Sequence, residues 1–163
     1  MNIYLIRHAD ALPIDMNTVT TDEERPLSEE GLAQVARLAG AIKRLDVPID
    51  AILTSPLKRA EQAARGLAEH LKLNHVEVRE CNDLAPGGSS KRVAKLLRKV
   101  NAQHVLVVGH EPDLGRHAGF LIGGKRARIE FAKGGMALIV SDDPPRRGTG
   151  TLLWMLTPNW LNS

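Results

Sequence analysis

Cysteine occurs once in these 163 residues, at Cys81. A single thiol closes no intramolecular disulfide and builds no cysteine-based zinc site, which fits a reducing cytosol; Cys81 itself reads as a small, half-buried packing residue. Aromatic residues are also scarce: two Trp, one Tyr and two Phe leave the core to Ala, Leu, Val and Ile. No arginine-rich run and no basic stripe interleaved with aromatics is present, so nucleic acid is not an expected partner. The apolar runs are too short to span a membrane, and no basic segment precedes the first of them as it would in a secretory signal. A cytoplasmic protein without a membrane partner is therefore expected. Internal repeats, low-complexity tracts and linker-like stretches are lacking too, and the length suits one core, so residues 1–163 are expected to form a single domain.

What is present is 43% hydrophobic and 25% charged, the composition of a globular chain. The net charge of +3 is a mild bias that could attract an acidic or phosphorylated protein. Ile3 to Ile6 is apolar on both faces and reads as a buried strand of a parallel sheet, with Arg7 and His8 at its C-terminal end. Residues 9–26, with Pro13, Asn17 and no sustained period, read as a loop long enough to be functional. Ser28 is expected to cap a helix with Glu29 and Glu30 in its first turn, with Leu27 and Leu32 as a staple. Its inner face would be Leu32, Val35, Ala36, Ala39, Ile42 and Leu45. Ala51 to Leu53 is a second strand, followed by a helix with Ser55 as N-cap and Pro56 at its first position. A short strand is expected at His75 to Val78, a Pro-Gly-Gly loop at Cys81 to Gly88, and a helix through Val93, Leu96, Leu97 and Val100. Val105 to Val108 is the strongest strand, and Pro112 would open the helix after it. Met136 to Val140 and Thr151 to Leu156 follow as an antiparallel pair. This alternation predicts an α/β fold: a three-layer α/β/α sandwich on a mostly parallel sheet with one antiparallel strand.

Parallel strands share an edge, and in open α/β sheets ligands bind at the C-terminal one. Arg7 and His8 would end the first strand there, Arg59 would sit in the first turns of the helix after the second, and His110 would follow the strongest strand. Helix N-termini add free N–H groups and positive dipole ends at the same edge. Such a pocket suits a dianionic phosphoryl group. A metal site made of His8, Asp10 and His110 is the rival, but two arginines would repel a cation, and neither an HExxH motif nor a carboxylate cluster supports it. No metal or other cofactor is expected. His70, His75, His104 and His117 have no such context and read as ordinary histidines.

Leu5-Ile6-Arg7-His8-Ala9 resembles the Leu-Ile-Arg-His-Gly signature of the histidine phosphatase superfamily, the phosphoglycerate-mutase-like fold. The stretch Ser55-Pro56-Leu57-Lys58-Arg59-Ala60 is similar to its second motif, and Gly109-His110-Glu111-Pro112 to its third. Arg25-Pro26-Leu27-Ser28-Glu29-Glu30-Gly31 extends the match. The resemblance implies that His8 attacks phosphorus and becomes phosphohistidine, which water then cleaves. Arg7 and Arg59 would clamp the phosphoryl oxygens, and a protonated His110 would stabilise their charge. Arg25 would be a further substrate contact, with a pair to Glu23 or Glu24 as its alternative.

Ala9 stands where the signature has glycine, a change the turn is expected to tolerate. Where mutases and many small-molecule phosphatases of the family carry a general acid, this chain reads Asn82-Asp83-Leu84-Ala85-Pro86-Gly87-Gly88. Only Asp83 lies inside that loop and Glu80 just before it, so an acid is not clearly placed. An alkoxide leaving group gains much from a proton donor, whereas an imidazole leaves more readily. The chain is also too short for a large cap insertion. Both features resemble the SixA-type branch, small phosphatases acting on phosphohistidine of histidine-phosphotransfer proteins, which implies a phosphorylated signalling protein as partner. Two alternatives stay open: a phosphatase of small phosphate esters using Asp83 or Glu80, and a non-catalytic module binding a phosphorylated partner.

Overall fold

The two most apolar runs of the sequence pair at the centre of one sheet. In the computed structural model, which describes residues 1–15, 19–124 and 126–159, strand β1 (Asn2–Arg7) lies parallel to β4 (His104–Gly109). Strands β2 (Ala51–Thr54) and β3 (Val78–Glu80) extend the sheet on the β4 side, both parallel. On the other side β5 (Met136–Ser141) runs antiparallel to β1, and β6 (Gly150–Leu156) antiparallel to β5. The strand order is β3-β2-β4-β1-β5-β6, so β5 alone opposes the common direction. The expected mixed α/β/α sandwich is what forms.

Strand side chains alternate between the faces, and the layers follow from that. Tyr4, Ile6, Leu106 and Val108 pack against helices α1 (Glu29–Arg44) and α2 (Lys58–His70). Ile3, Leu5, Val105 and Val107 pack against α3 (Ser90–Lys99) and α4 (Asp113–Leu121). A strand covered on both faces must be apolar at every position, which explains the continuous runs in β1 and β4. By contrast β6 at the sheet edge alternates, with Leu153 57% and Met155 36% exposed. Among the described residues no helix is long and apolar enough to cross a membrane.

Several local expectations shift. Ser28 does cap α1, accepting from Gly31 N at 3.0 Å. Yet Leu32 and Leu45 are exposed, as is Ala36, and the inner face is Val35, Leu38, Ala39 and Ile42. Gly31 takes the inward position because its bare Cα lies against the Asp10 backbone, which turns Leu32 outward and leaves Leu27 no staple partner there. The second helix begins at Lys58 with Leu57 as N-cap, not at Ser55 and Pro56. Pro112 is the N-cap of α4, one position earlier than expected. At His75 to Val78 only Val78 is strand, because Val76 N closes a turn onto Leu73 O. The loop before α1 carries isolated bridges Ala11–Leu27 and Asp15–Val19; Asn17 lies outside the described residues.

Candidate active site

Strand register brings the functional side chains together. Arg7 is the last residue of β1 and stands opposite Gly109, the last of β4. The residues that follow, His8 and His110, therefore leave the sheet side by side, and His8 N donates to Gly109 O at 3.1 Å. Their rings are 5.0 Å apart between centroids, tilted by 56°. Thr54 of β2 pairs with Val108, so the turn after β2 opens at the same edge and α2 presents Arg59 in its first turn. His8, Arg59 and His110 are all at least 92% buried.

Hydrogen bonds fix the His8 tautomer. Nδ1 lies 2.7 Å from Ala9 O, and a carbonyl can only accept, so Nδ1 carries the proton. The lone pair is then on Nε2, which accepts from Arg59 Nε at 3.2 Å. Burial first, and then the charges of Arg59, Arg7 and Lys133, lower the His8 pKa to about 4, against the raising effect of the Ala9 bond. His8 is neutral at neutral pH.

His110 Nε2 lies 2.8 Å from Ser55 Oγ. Ser55 Oγ also accepts from Leu57 N at 3.3 Å. This explains why the buried Ser55 is not the cap of α2: its hydroxyl is oriented toward the histidine. His110 Nδ1 is buried and has no partner. Burial, together with His8 and Arg59, lowers the His110 pKa to about 3. The protein's own groups thus hold His110 neutral in the ligand-free chain; the protonated form expected during transfer belongs to the complex with a phosphoryl group.

Arg59 is held by a residue that sequence reasoning did not single out. Asp22 accepts from Arg59 Nη2 through Oδ2 at 2.9 Å and from Nη1 through its main-chain oxygen at 2.6 Å. The other Asp22 oxygen takes Arg25 Nη1 at 3.0 Å. Arg25 therefore joins the arginine cluster through Asp22 and pairs with neither Glu23 nor Glu24; its Nε donates to Leu12 O at 2.6 Å. Hydrogen bonding from Arg25, then from Arg59, keeps the Asp22 carboxyl below its ordinary pKa despite some burial. The only sequence signal for Asp22 was its place in an aperiodic loop of functional length.

The segment between α4 and β5 closes the other side. Arg7 Nη1 donates to Phe131 O at 2.7 Å, and Arg7 Nε is buried without a partner. Gly134, whose φ of +69° favours glycine, donates its N–H to His8 O at 3.1 Å. Asp10, the third member of the rival metal site, has its carboxylate engaged by Lys133 Nζ at 2.6 Å and Ser28 Oγ at 2.7 Å. Beside Arg7 a cleft of about 450 Å³ is lined by Glu111, Pro112, Gly115, Arg116 and Ile129 among others. Burial raises the Glu111 carboxyl, and its Oε1 accepts from Phe131 N at 2.8 Å. The two acids weighed from sequence are elsewhere. Asp83 pairs with Arg92 at 2.6 Å, on the side of α3, and Glu80 with Arg65 at 3.9 Å. Among the described residues neither touches Arg7, His8, Arg59 or His110.

Residues 3–90 match the family model of the histidine phosphatase superfamily, branch 1. An uncharacterised protein of Picosynechococcus sp. is 32% identical, covering 99% of each chain. The phosphohistidine phosphatase SixA of Escherichia coli strain K12 is 29% identical over 97% of this chain and 94% of its own. A solved structure of the protein histidine phosphatase SixA complexed with tungstate superposes with a TM-score of 0.88 at 27% identity, covering 99% of both chains. Motif order, sheet topology and these likenesses agree: the chain belongs to the histidine phosphatase superfamily, with the phosphoglycerate-mutase-like fold, and is a homologue of SixA.

Proposed function

We propose that this phosphatase is a metal-independent protein phosphohistidine phosphatase. It would act in the cytoplasm as a single domain of residues 1–163, on a histidine-phosphotransfer or related signalling protein. The observation that carries the reading is the fixed His8 tautomer: Nδ1–H is bound to Ala9 O, so Nε2 is the only ring nitrogen with a lone pair for phosphorus. In the first step the His8 Nε2–P bond forms as the P–N bond of the substrate breaks, and the leaving imidazole, protonated on its other nitrogen, departs neutral. Water then attacks the phosphoenzyme and releases inorganic phosphate.

Arg7 and Arg59 supply the forked N–H groups that hold the non-bridging oxygens, and Arg7 Nε, buried and unpartnered, suits that role. In the substrate complex a protonated His110 donates from Nδ1 to the phosphoryl group and from Nε2 to Ser55 Oγ. The phosphoryl dianion raises the His110 pKa, so its protonation belongs to the substrate complex. Arg25 acts through Asp22 in this scheme and not as a direct phosphate ligand. The placement of Asp83 and Glu80 away from the histidines supports a substrate whose leaving group needs no strong acid.

The likeness to SixA, itself a phosphohistidine phosphatase, supports the substrate class. His8→Ala is expected to abolish both turnover and the trapping of labelled phosphate on the chain; labelling that survives would remove His8 as nucleophile. In the same assay, sugar phosphates should be hydrolysed far more slowly than a phosphohistidine protein. Preferential ester turnover would transfer the assignment to an ester phosphatase, and phosphate binding without any turnover would make the chain a binding module.

A further inference from the structure

Away from the site, charge is unevenly placed. The chain has a net charge of +3, yet α3 alone carries Lys91, Arg92, Lys95, Arg98 and Lys99 and no acid, so the remainder is net negative. At about 100° per residue these five side chains fall within roughly a third of the helix circumference, opposite Val93, Ala94 and Leu97 buried against the sheet. Such a row works against the helix itself. Like charges four residues apart repel, and Lys91 and Arg92 stand in the first turn, where the dipole favours acids. Arg92 is relieved by Asp83, and Arg98 donates to Pro145 O at 2.7 Å. Lys91, Lys95 and Lys99 are exposed, and among the described residues none of them has an ion-pair partner. They form one row along the helix, about 12 Å long.

The row starts at the active edge. Helix α3 runs back from the C-terminal end of β3 to the start of β4, so its first turn lies on the side of the sheet where His8 and His110 emerge. The loop before it is tied to α4, three residues beyond His110, by Gly87 N donating to Asp113 Oδ2 at 2.9 Å. The loop and the start of α3 thus flank the edge at which a protein would present a phosphorylated side chain to His8.

We infer that the lysine row of α3 docks an acidic face of the phosphorylated protein substrate. The inference rests on the protein-phosphatase reading and adds to it a surface for selecting the partner. A small ester would gain little from cations running down the helix away from the pocket. Leu96 is half-buried against the core, and the exposed face of α3 has no aromatic residue to stack on bases and no fully exposed apolar one to enter a bilayer, so a folded acidic partner fits it best.

The test compares wild type with Lys91→Gln/Lys95→Gln/Lys99→Gln and with the corresponding triple Glu variant. Each is assayed on a phosphorylated, acidic histidine-phosphotransfer domain and on phosphoramidate, with circular dichroism to confirm the fold. Charge reversal should lower kcat/KM on the phosphoprotein roughly ten-fold or more at low salt, through KM, with the Gln variant between. The wild-type rate should fall with ionic strength and the Glu variant's should not, while phosphoramidate turnover stays the same in all three. Unchanged phosphoprotein kcat/KM in both folded variants overturns the docking surface alone. A wild type that cleaves phosphoramidate but no phosphoprotein overturns the protein-phosphatase reading and the docking surface with it. Salt-sensitive binding to phosphatidylserine vesicles or a DNA duplex that the variants lose, beside unchanged phosphoprotein kinetics, would give the row to those polyanions instead.

Discussion

Each nitrogen of the Arg59 guanidinium has its own partner: Nε holds His8 Nε2, Nη1 the Asp22 main-chain oxygen, and Nη2 the Asp22 carboxylate. A lysine ammonium is a point charge on a longer, freer stem and cannot span these directions at once. In the proposed reaction Arg59→Lys should therefore lower kcat by about 100-fold or more, the usual cost of losing one oriented donor to developing charge. Steady-state kinetics on a phosphohistidine protein, with the unfolding midpoint as control, checks this. Arg7, His8, Arg59 and His110 could be placed from sequence because three of them sit at or just after the C-terminal end of a strand and Arg59 in the first turn of the helix that follows one, where topology makes them neighbours. Asp22 could not. Its contact with Arg59 depends on how an aperiodic loop folds back across the edge, and no spacing rule encodes that.

At the scale of elements, strand runs were legible because β1 and β4 are covered on both faces and so are apolar throughout. Helix starts were less so. Ser55 has the look of an N-cap, but a buried histidine makes a competing claim on its hydroxyl. Leu32 looks inward by period, but Gly31 holds the inward position. A Cβ built on Gly31 would lie 2.0 Å from Asp10 O, a main-chain atom that cannot rotate away. Ser28 fastens the same junction, its N–H on Asp10 O and its hydroxyl on Asp10 Oδ2. Gly31→Ala must therefore push the start of α1 away from the segment that follows His8. We expect about 2 kcal/mol of lost stability, within the range for overpacking, together with a fall in kcat. Urea denaturation and single-turnover rates test the two halves separately; an unchanged midpoint would mean that the α1 junction yields freely.

For the whole molecule, burying neutral histidines ties stability to pH. His117, buried on α4 with Nδ1 2.8 Å from Ser90 Oγ, has its pKa lowered to about 4 by burial and by Arg116. With His8 near 4 and His110 near 3, three histidines are neutral in the folded chain at a pH where the unfolded chain binds protons. The unfolded state then holds more protons, so stability rises with pH across that window; it is fully present above about 6.5 and lost as pH falls toward the folded values. Glu111 acts with the opposite sign, since a raised carboxyl favours the folded state as acid is added. The lowered carboxyls of Asp10 and Asp22 take effect only below the ordinary carboxylate range. His8 and His110 interact and cannot be apportioned singly, but His117 stands apart from them. Between pH 7 and pH 5 it should cost roughly 2 kcal/mol, at about 1.4 kcal/mol per pH unit below its unfolded pKa. His117→Gln should flatten the dependence by about that amount whatever it does to stability at pH 7. Unfolding free energies of both chains at the two pH values decide it: parallel curves would mean that His117 finds a partner for its proton inside the fold.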